Sequence, residues 1–313
     1  MALLSALCAV ESRMMFFCLH VEHGLRPAEE SCGDADFVRA FCEEHGVECR
    51  VEHIPPGKIA SLAQRKGIGI EAAARFFRHK ALAREAARLE KQTGKKTRIL
   101  IAHSKDDLLE TALMRTLRGC GPAGLAIMPV NRGRILRPLL DVSRSEIIAY
   151  LTAKKIPWRE DITNKDEKFL RNKIRCRFVP MLDETFPSWK AGVTAMAETQ
   201  VLVAEFISNE AKQRVKWESN RRNFFSADAE NFFAQPLIVR EEALFQVIDV
   251  LLKNVKNLRT VKRSVVRRFC KQQGAVSAVD LGSVMVRLEK GKVLLSRKQK
   301  EFFESGVSVL IKK

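Results

Sequence analysis

Asp106, Asp107 and Glu110 crowd together just past His103, in the stretch Arg98–Gly119 that reads RILIAHSKDDLLETALMRTLRG. Arg98–His103 is a short apolar run, and from Ser104 the period turns helical, with Leu109, Leu113 and Leu117 on one face. Asp107, Glu110, Thr111 and Met114 share the opposite flank. The pattern predicts a strand that passes at once into a helix, with His103 and the three acids at the junction. In open α/β sheets that junction is where ligands bind. Two chemistries fit. Ser104-x-x-Asp107 has the form of a capping box, and Asp106 suits the positive end of a helix. Neither accounts for Glu110, nor for a histidine closing the strand. The other chemistry is an acidic cup. In it Asp106 or Asp107 holds Mg²⁺ on a nucleotide phosphate, and Glu110 receives a positively charged group.

Two arginine pairs elsewhere have the spacing of anion binders. Arg75 and Arg78 lie at i, i+3 on a long helical pattern, Ile70–Leu89, where a solvated face is the default. Arg171 and Arg175 lie at i, i+4 beside Ile174 and Phe178, a spacing that can clamp a phosphate. His23 stands at the end of the apolar run Met14–Val21, next to Gly24 and Pro27, and reads equally as a site residue or as part of a polar turn. Asp161 and Asn164 can cap a turn.

These stretches carry a family resemblance. AHSKDDLLET, followed by CGPAGLAIM, resembles the second signature of tRNA(Ile)-lysidine synthases, members of the PP-loop ATP pyrophosphatase group. The usual form there is A-H-H-x-D-D-x-x-E-T, and Ser104 stands at the second histidine. His20–Pro27 is similar to a run of the same family that usually has aspartate at the position of Glu22. Glu71-Ala-Ala-Ala-Arg75-x-x-Arg78 matches E-A-A-A-R-x-x-R-Y, with His79 for the tyrosine. Trp158–Asn164 and Arg171–Arg175 match W-x-E-D-x-T-N and R-N-x-I-R.

The resemblance implies a reaction. ATP adenylates the C2 oxygen of the wobble cytidine, position 34, of a CAU-anticodon tRNA(Ile), and pyrophosphate leaves. The ε-amine of free L-lysine then displaces AMP to give lysidine. The implied cofactors are ATP and Mg²⁺, and the implied partners are tRNA(Ile) and lysine, with a homodimer compatible. Carried onto this chain, Asp107 serves Mg²⁺–ATP or lysine, and Glu110 accepts the lysine ammonium. Arg175, with Arg171, stabilises phosphate or the activated base. His103, Asp106, Arg75, Arg78 and His23 fall to the nucleotide, and Arg171, Asp161 and Asn164 to the tRNA. A tRNA thiolase of the same fold and a non-catalytic tRNA-binding remnant are the rival readings; the lack of any C-x-x-C pair weighs against the thiolase.

The elements that must position these residues follow from periodicity. Helices and strands alternate from Ala2 to Gly119, which predicts an α/β fold with a doubly wound parallel sheet. Ser143 and Glu146 predict a capped helix to about Lys155. Ala191–Trp217 reads as one long linker helix. Val279–Leu295 alternates around Glu289–Lys292 as a β-hairpin. The expected division is a PP-loop catalytic domain over 1–188, a linker helix over 189–220 and a small, mostly helical basic domain over 221–313 that ends in the hairpin. In the family a strand and the loop Ser-Gly-Gly-x-Asp-Ser precede a helix beginning M-A-L-L. This chain opens Met1-Ala2-Leu3-Leu4, and Gly67-Ile68-Gly69 neither follows a strand nor has the phosphate-loop pattern. The expectation is that Met1 is an internal methionine of a longer protein.

Net charge is +18, which favours a polyanionic partner. The surplus extends to 201–313, with 22 Lys+Arg against 12 Asp+Glu. Lys253–Lys271 holds eight basic residues and no acid. Lys256, Arg263 and Arg267 form a stripe there suited to a tRNA backbone. The eight cysteines read as small core side chains of a reduced, cytoplasmic protein, with neither a zinc knuckle nor an iron–sulfur site indicated. No stretch is long and apolar enough to span a membrane.

Overall fold

A computed structural model describes residues 1–10, 15–25, 28–126, 128–159, 168–221, 224–252, 261–271 and 278–298. The chain divides into two compact units, Met1–Val201 and Leu202–Lys313, and the division falls inside one long helix.

The first unit begins with α1 (Ala2–Ala9), β1 (Cys18–Glu22), α2 (Ala28–Glu44), β2 (Cys49–His53), α3 (Lys58–Lys66) and α4 (Ile70–Thr93). It continues through β3 (Ile99–Leu100), α5 (Lys105–Arg118), α6 (Pro122–Leu125), β4 (Asn131–Arg132), β5 (Ile135–Leu136) and α7 (Arg144–Ala153). β1 and β2 pair in parallel, Cys18 opposite Cys49 through Glu22 opposite His53. β3 pairs in parallel with β5, and β4 adds an antiparallel edge. The expected parallel sheet is therefore present in two pieces, and α4 packs on both β1 and β3.

α3 has no clear signature in the periodicity of the sequence. It is short, and its apolar positions Ile59, Leu62 and Ala63 are buried against Ala73 and Ala74 of α4. α1, apolar all round, needs a cover. It packs on α7, and Ser5 Oγ lies 3.1 Å from the Tyr150 hydroxyl.

The strand that leads to the acids of α5 is shorter than its apolar run. β3 ends at Leu100, although Ile101 N still donates to Leu136 O at 3.0 Å. His103 thus sits in the connection rather than in the strand. Past the undescribed 160–167 come α8 (Leu170–Lys173), a π turn over Ile174–Phe178 and α9 (Val179–Thr185). Pro180 follows that turn. Its ring would clash with the carbonyl four residues back in a regular α-helix, and the wider π turn relieves that clash.

α10 (Trp189–Arg214) carries the chain into the second unit. There β6 (Glu218–Arg221), β7 (Phe224–Asp228), β8 (Ala278–Asp280), β9 (Val284–Glu289) and β10 (Lys292–Arg297) form an antiparallel sheet in the order β6-β7-β10-β9-β8. The hairpin expected at Val279–Leu295 is its centre, with Glu289 paired to Lys292 across the turn Lys290-Gly291. Helices α11 (Ala229–Ala234), α12 (Leu237–Leu252) and α13 (Arg263–Lys271) complete the unit. Its core joins Phe232, Leu244 and Phe269 from the helices to Val286, Val293 and Leu295 from the sheet. Among the described residues no helix is long and apolar enough to cross a membrane.

Candidate active site

The start of α5 is fixed by its own first turn. Ser104 is the N-cap: its backbone N donates to Asp107 Oδ2 at 2.8 Å, and Asp107 N donates to Ser104 Oγ at 3.4 Å. The capping box and the acidic site are therefore one structure. While Asp107 Oδ2 closes the cap, Oδ1 accepts from Arg171 Nη2 at 2.6 Å.

Glu110, one turn on, is only 3% exposed. Its Oε2 accepts from Arg171 Nε at 2.7 Å and its Oε1 from Arg175 Nε at 2.6 Å. Arg175 Nη2 donates to Oε2 as well, at 3.0 Å. α8 and the π turn thus lay both arginines across the acidic face of α5, as the i, i+4 spacing allows. Burial works against the Arg175 charge, but the bonds to Glu110 outweigh it and its pKa is raised. Both oxygens of this buried carboxylate are thus taken up by guanidinium donors.

Asp106 points elsewhere. Its Oδ2 accepts from the backbone N of Arg144 at 2.6 Å, in the first turn of α7. α7 has its own capping box, Ser143 with Glu146. Asp106 therefore ties the start of α5 to the start of α7.

His103 is 7% exposed, and its Nδ1 receives a hydrogen bond from Arg137 Nε at 3.0 Å. Burial lowers its pKa to about 4; the charges of Arg75, Arg137 and Arg78 act in the same direction, against the opposing pull of Asp107. The ring is neutral. With Nδ1 accepting, the proton belongs on Nε2, which leaves His103 a donor. Arg137, buried at 4%, also donates to Pro129 O at 2.7 Å. Sequence reasoning missed Arg137; the signal was a single charge inside the apolar run Ile135–Leu140.

Arg75 and Arg78 belong to the same electrostatic neighbourhood. Burial lowers the pKa of both, and the charge of Arg171 adds to it, as does that of Arg75 on Arg78. Arg78 Nε is buried without a hydrogen-bond partner. An orphaned guanidinium N–H among other cations is what an absent anion would satisfy. The pair fits phosphate. Mg²⁺ fits less well: both Asp107 oxygens and both Glu110 oxygens are engaged, and Asp106 has given one oxygen to Arg144.

His23 follows the end of β1, as expected, and is half-buried. The next residue has to be glycine. Gly24 has φ +59°, and a Cβ there would lie 2.7 Å from Ile54 O. Asp161 and Asn164, expected from the resemblance to face tRNA, lie outside the described residues. The stretch leading to it is nonetheless anchored, because Arg159 Nε meets Asp34 of α2 at 2.9 Å. A side chain at Gly33 would collide with that guanidinium, at 2.8 Å.

A cavity of about 340 Å³ opens beside the network, a size suited to a small ligand or a base. Asp106, Asp107, Glu110 and Arg175 line one side, and Leu3, Trp158 and Trp189 supply apolar and aromatic wall. In the sequence Trp158 stands out only as part of a motif; its place on the wall comes from the fold.

In the second unit Arg263 and Arg267 are not a bare stripe. Glu241 of α12, with no exposed surface, takes Arg263 Nη2 at 3.0 Å and Arg267 Nε at 2.5 Å. Both arginines keep a solvent-facing part, 33% and 50% exposed. Lys256 lies outside the described residues.

Known proteins show the same pattern of similarity. Residues 1–182 match the model of the PP-loop domain. A tRNA(Ile)-lysidine synthase of Treponema denticola is 33% identical over 298 residues, 94% of this chain and 63% of that protein. Those of Solibacter usitatus and Thermus thermophilus are 34% and 35% identical, over 85% and 79% of this chain and 53% and 46% of their own lengths. The chain thus spans between 46% and 63% of the length of these curated relatives. Among solved structures, the U34-tRNA thiolase NcsA from Methanococcus maripaludis with its 4Fe-4S cluster has a TM-score of 0.48 at 15% identity, covering 63% of this chain and 67% of that one. Since the matched domain takes in more than half of the chain, this protein belongs to the PP-loop domain family.

Proposed function

We propose that this chain is the nucleotide-using part of a tRNA(Ile)-lysidine synthase, which joins L-lysine to C2 of the wobble cytidine of a CAU-anticodon tRNA(Ile) at the expense of ATP. The observation that carries the reading is the pairing of Glu110 and Asp107 with Arg171 and Arg175 at a cavity wall, from two motifs far apart in the chain. The similarity to lysidine synthases over 94% of the chain supports it.

When bound, ATP supplies the adenylyl group that activates the cytidine oxygen. The chain's own residues bind and orient. Arg78, through its unpartnered Nε, and Arg75 attract the phosphates, and His103 offers Nε2–H as a neutral donor. Arg175, at the cavity wall, neutralises charge that develops on the activated base or the departing phosphate. Glu110 receives the lysine ammonium by exchanging one of its arginine contacts. Trp158 offers a flat face for the base. Binding to tRNA draws on the net charge of +18.

The test is incubation of the purified protein with CAU tRNA(Ile), ATP labelled at the α-phosphate, and lysine, followed by nucleoside mass spectrometry. Equal yields of AMP and lysidine, both dependent on lysine, are expected. AMP release without lysidine, or a thiolated nucleoside when a sulfur donor is added, would sink the assignment. So would tight tRNA binding with no AMP release, the mark of a binding module.

A further inference from the structure

Away from the acidic site, the layer formed by β1, β2 and α2 gathers a second set of reactive side chains. Cys18 and Cys49 are direct register partners on the parallel pair, so their side chains leave the same face. Cys42, near the end of α2, meets them there, and the three sulfurs all lie within 4.8 Å of one another. Backbone bonds hold the connection rigid: Val47 N donates to Cys42 O at 2.8 Å, and Cys18 N to Glu48 O at 3.0 Å. Cys42 is buried, whereas Cys18 and Cys49 retain some access to solvent. Burial pushes the Cys42 thiol up to about 11 and raises that of Cys18 further, so without a ligand these two are neutral.

Three arrangements compete for such a cluster. Plain packing leaves the three sulfurs held together only by weak S–H hydrogen bonds to one another. A disulfide would join two and leave the third idle. A single soft cation uses all three: Zn–S bonds of about 2.3 Å in a tetrahedron set sulfurs about 3.8 Å apart, within the observed spread. A cubane iron–sulfur cluster binds each cysteine to a different iron and needs its sulfurs further apart.

We propose that Cys18, Cys42 and Cys49 form a three-thiolate site for one Zn²⁺ ion, which staples α2 to the β1–β2 pair. Binding breaks three S–H bonds, sends three protons to solvent and forms three Zn–S bonds with no change of oxidation state. Water, reaching the site past Cys49, completes the tetrahedron.

The test uses the full chain, reduced and stripped of metal, with Co²⁺ as the probe. Expected are a sulfur-to-cobalt charge-transfer band saturating at one ion per chain, its loss on adding Zn²⁺, and a higher melting temperature with Zn²⁺. Cys49→Ser, chosen because it is partly exposed, should bind at least ~10-fold more weakly, since even outer-shell changes at metal sites cost that much. Cys120→Ser, at an exposed cysteine outside the cluster, should bind as the parent does. Absence of the charge-transfer band in the parent protein overturns the proposal, whatever the variants do. So does undiminished binding by Cys49→Ser, or a Cys18–Cys49 disulfide in protein purified without reductant.

Discussion

Glu110 is the residue on which the site depends, because two cations rely on a carboxylate that has almost no contact with water. Breaking a buried ion pair by removing one partner costs roughly 3–5 kcal/mol, since the other charge is left uncompensated. Glu110→Ala should therefore destabilise the first unit by about that amount, whereas Arg171→Ala, which leaves Arg175 on the same carboxylate, should cost less. Chemical denaturation of the two variants measures the difference, and equal losses would contradict the shared-carboxylate geometry. His103 gives a prediction of opposite character. Its folded pKa, about 4, lies below the ordinary histidine value, so the unfolded chain binds the proton more readily. The stabilisation this represents is complete above about pH 6.5 and is lost as pH falls toward 4. NMR of the labelled imidazole should show a neutral ring with the proton on Nε2 at pH 5.5. A ring already protonated at that pH would remove the Arg137–His103 bond from the account.

At the scale of elements, the start of α5 is stabilised by the side chain that also faces Arg171. Ser104→Ala removes one half of the capping box and should cost about 1 kcal/mol, read from denaturant midpoints. Asp107→Asn weakens the cap and the ion pair together, and should cost more than Ser104→Ala; a smaller effect would mean that the ion pair to Arg171 adds nothing to stability. This double use explains why the acids at the junction admitted two readings from sequence. Spacing identified a cap and an acidic cup, and Asp107 belongs to both. Asp106 was legible only as an acid near a helix start, because its acceptor role toward Arg144 depends on α7 lying alongside, which no local pattern encodes. The helices with strong periodicity or a capping signature, α4, α5 and α7, were readable in the sequence. α3 was not, since nine residues carry too few apolar repeats to stand out. The cysteine cluster was invisible for a related reason: Cys18, Cys42 and Cys49 meet only through the register of β1 on β2.

For the whole molecule, the large positive charge matters through how much of it is free to meet a polyanion. Each phosphate neutralised by a protein cation steepens the salt dependence of binding by roughly 0.7–0.9 in log–log slope. Counting lysines and arginines overstates this number, because some cations are already paired inside the protein. In the second unit Arg263 and Arg267 share the buried Glu241, so the three residues together present one net positive charge rather than two. Arg268 is solvent-facing, and no carboxylate partner for it is found among the described residues. If α13 meets the tRNA backbone, Arg268→Ala should reduce the salt slope of tRNA binding by about one phosphate equivalent and leave stability nearly unchanged. The double variant Arg263→Ala with Arg267→Ala should also lose about one equivalent, not two. It should in addition lower the melting temperature of the second unit, because Glu241 is left in the core without its two partners. Filter binding across a salt series, with a thermal melt of each variant, separates these outcomes. A loss of two equivalents with an unchanged melt would mean that Glu241 does not hold the arginines in solution. An unchanged slope in both variants would take α13 out of the tRNA interface and leave the charge elsewhere on the chain to account for binding.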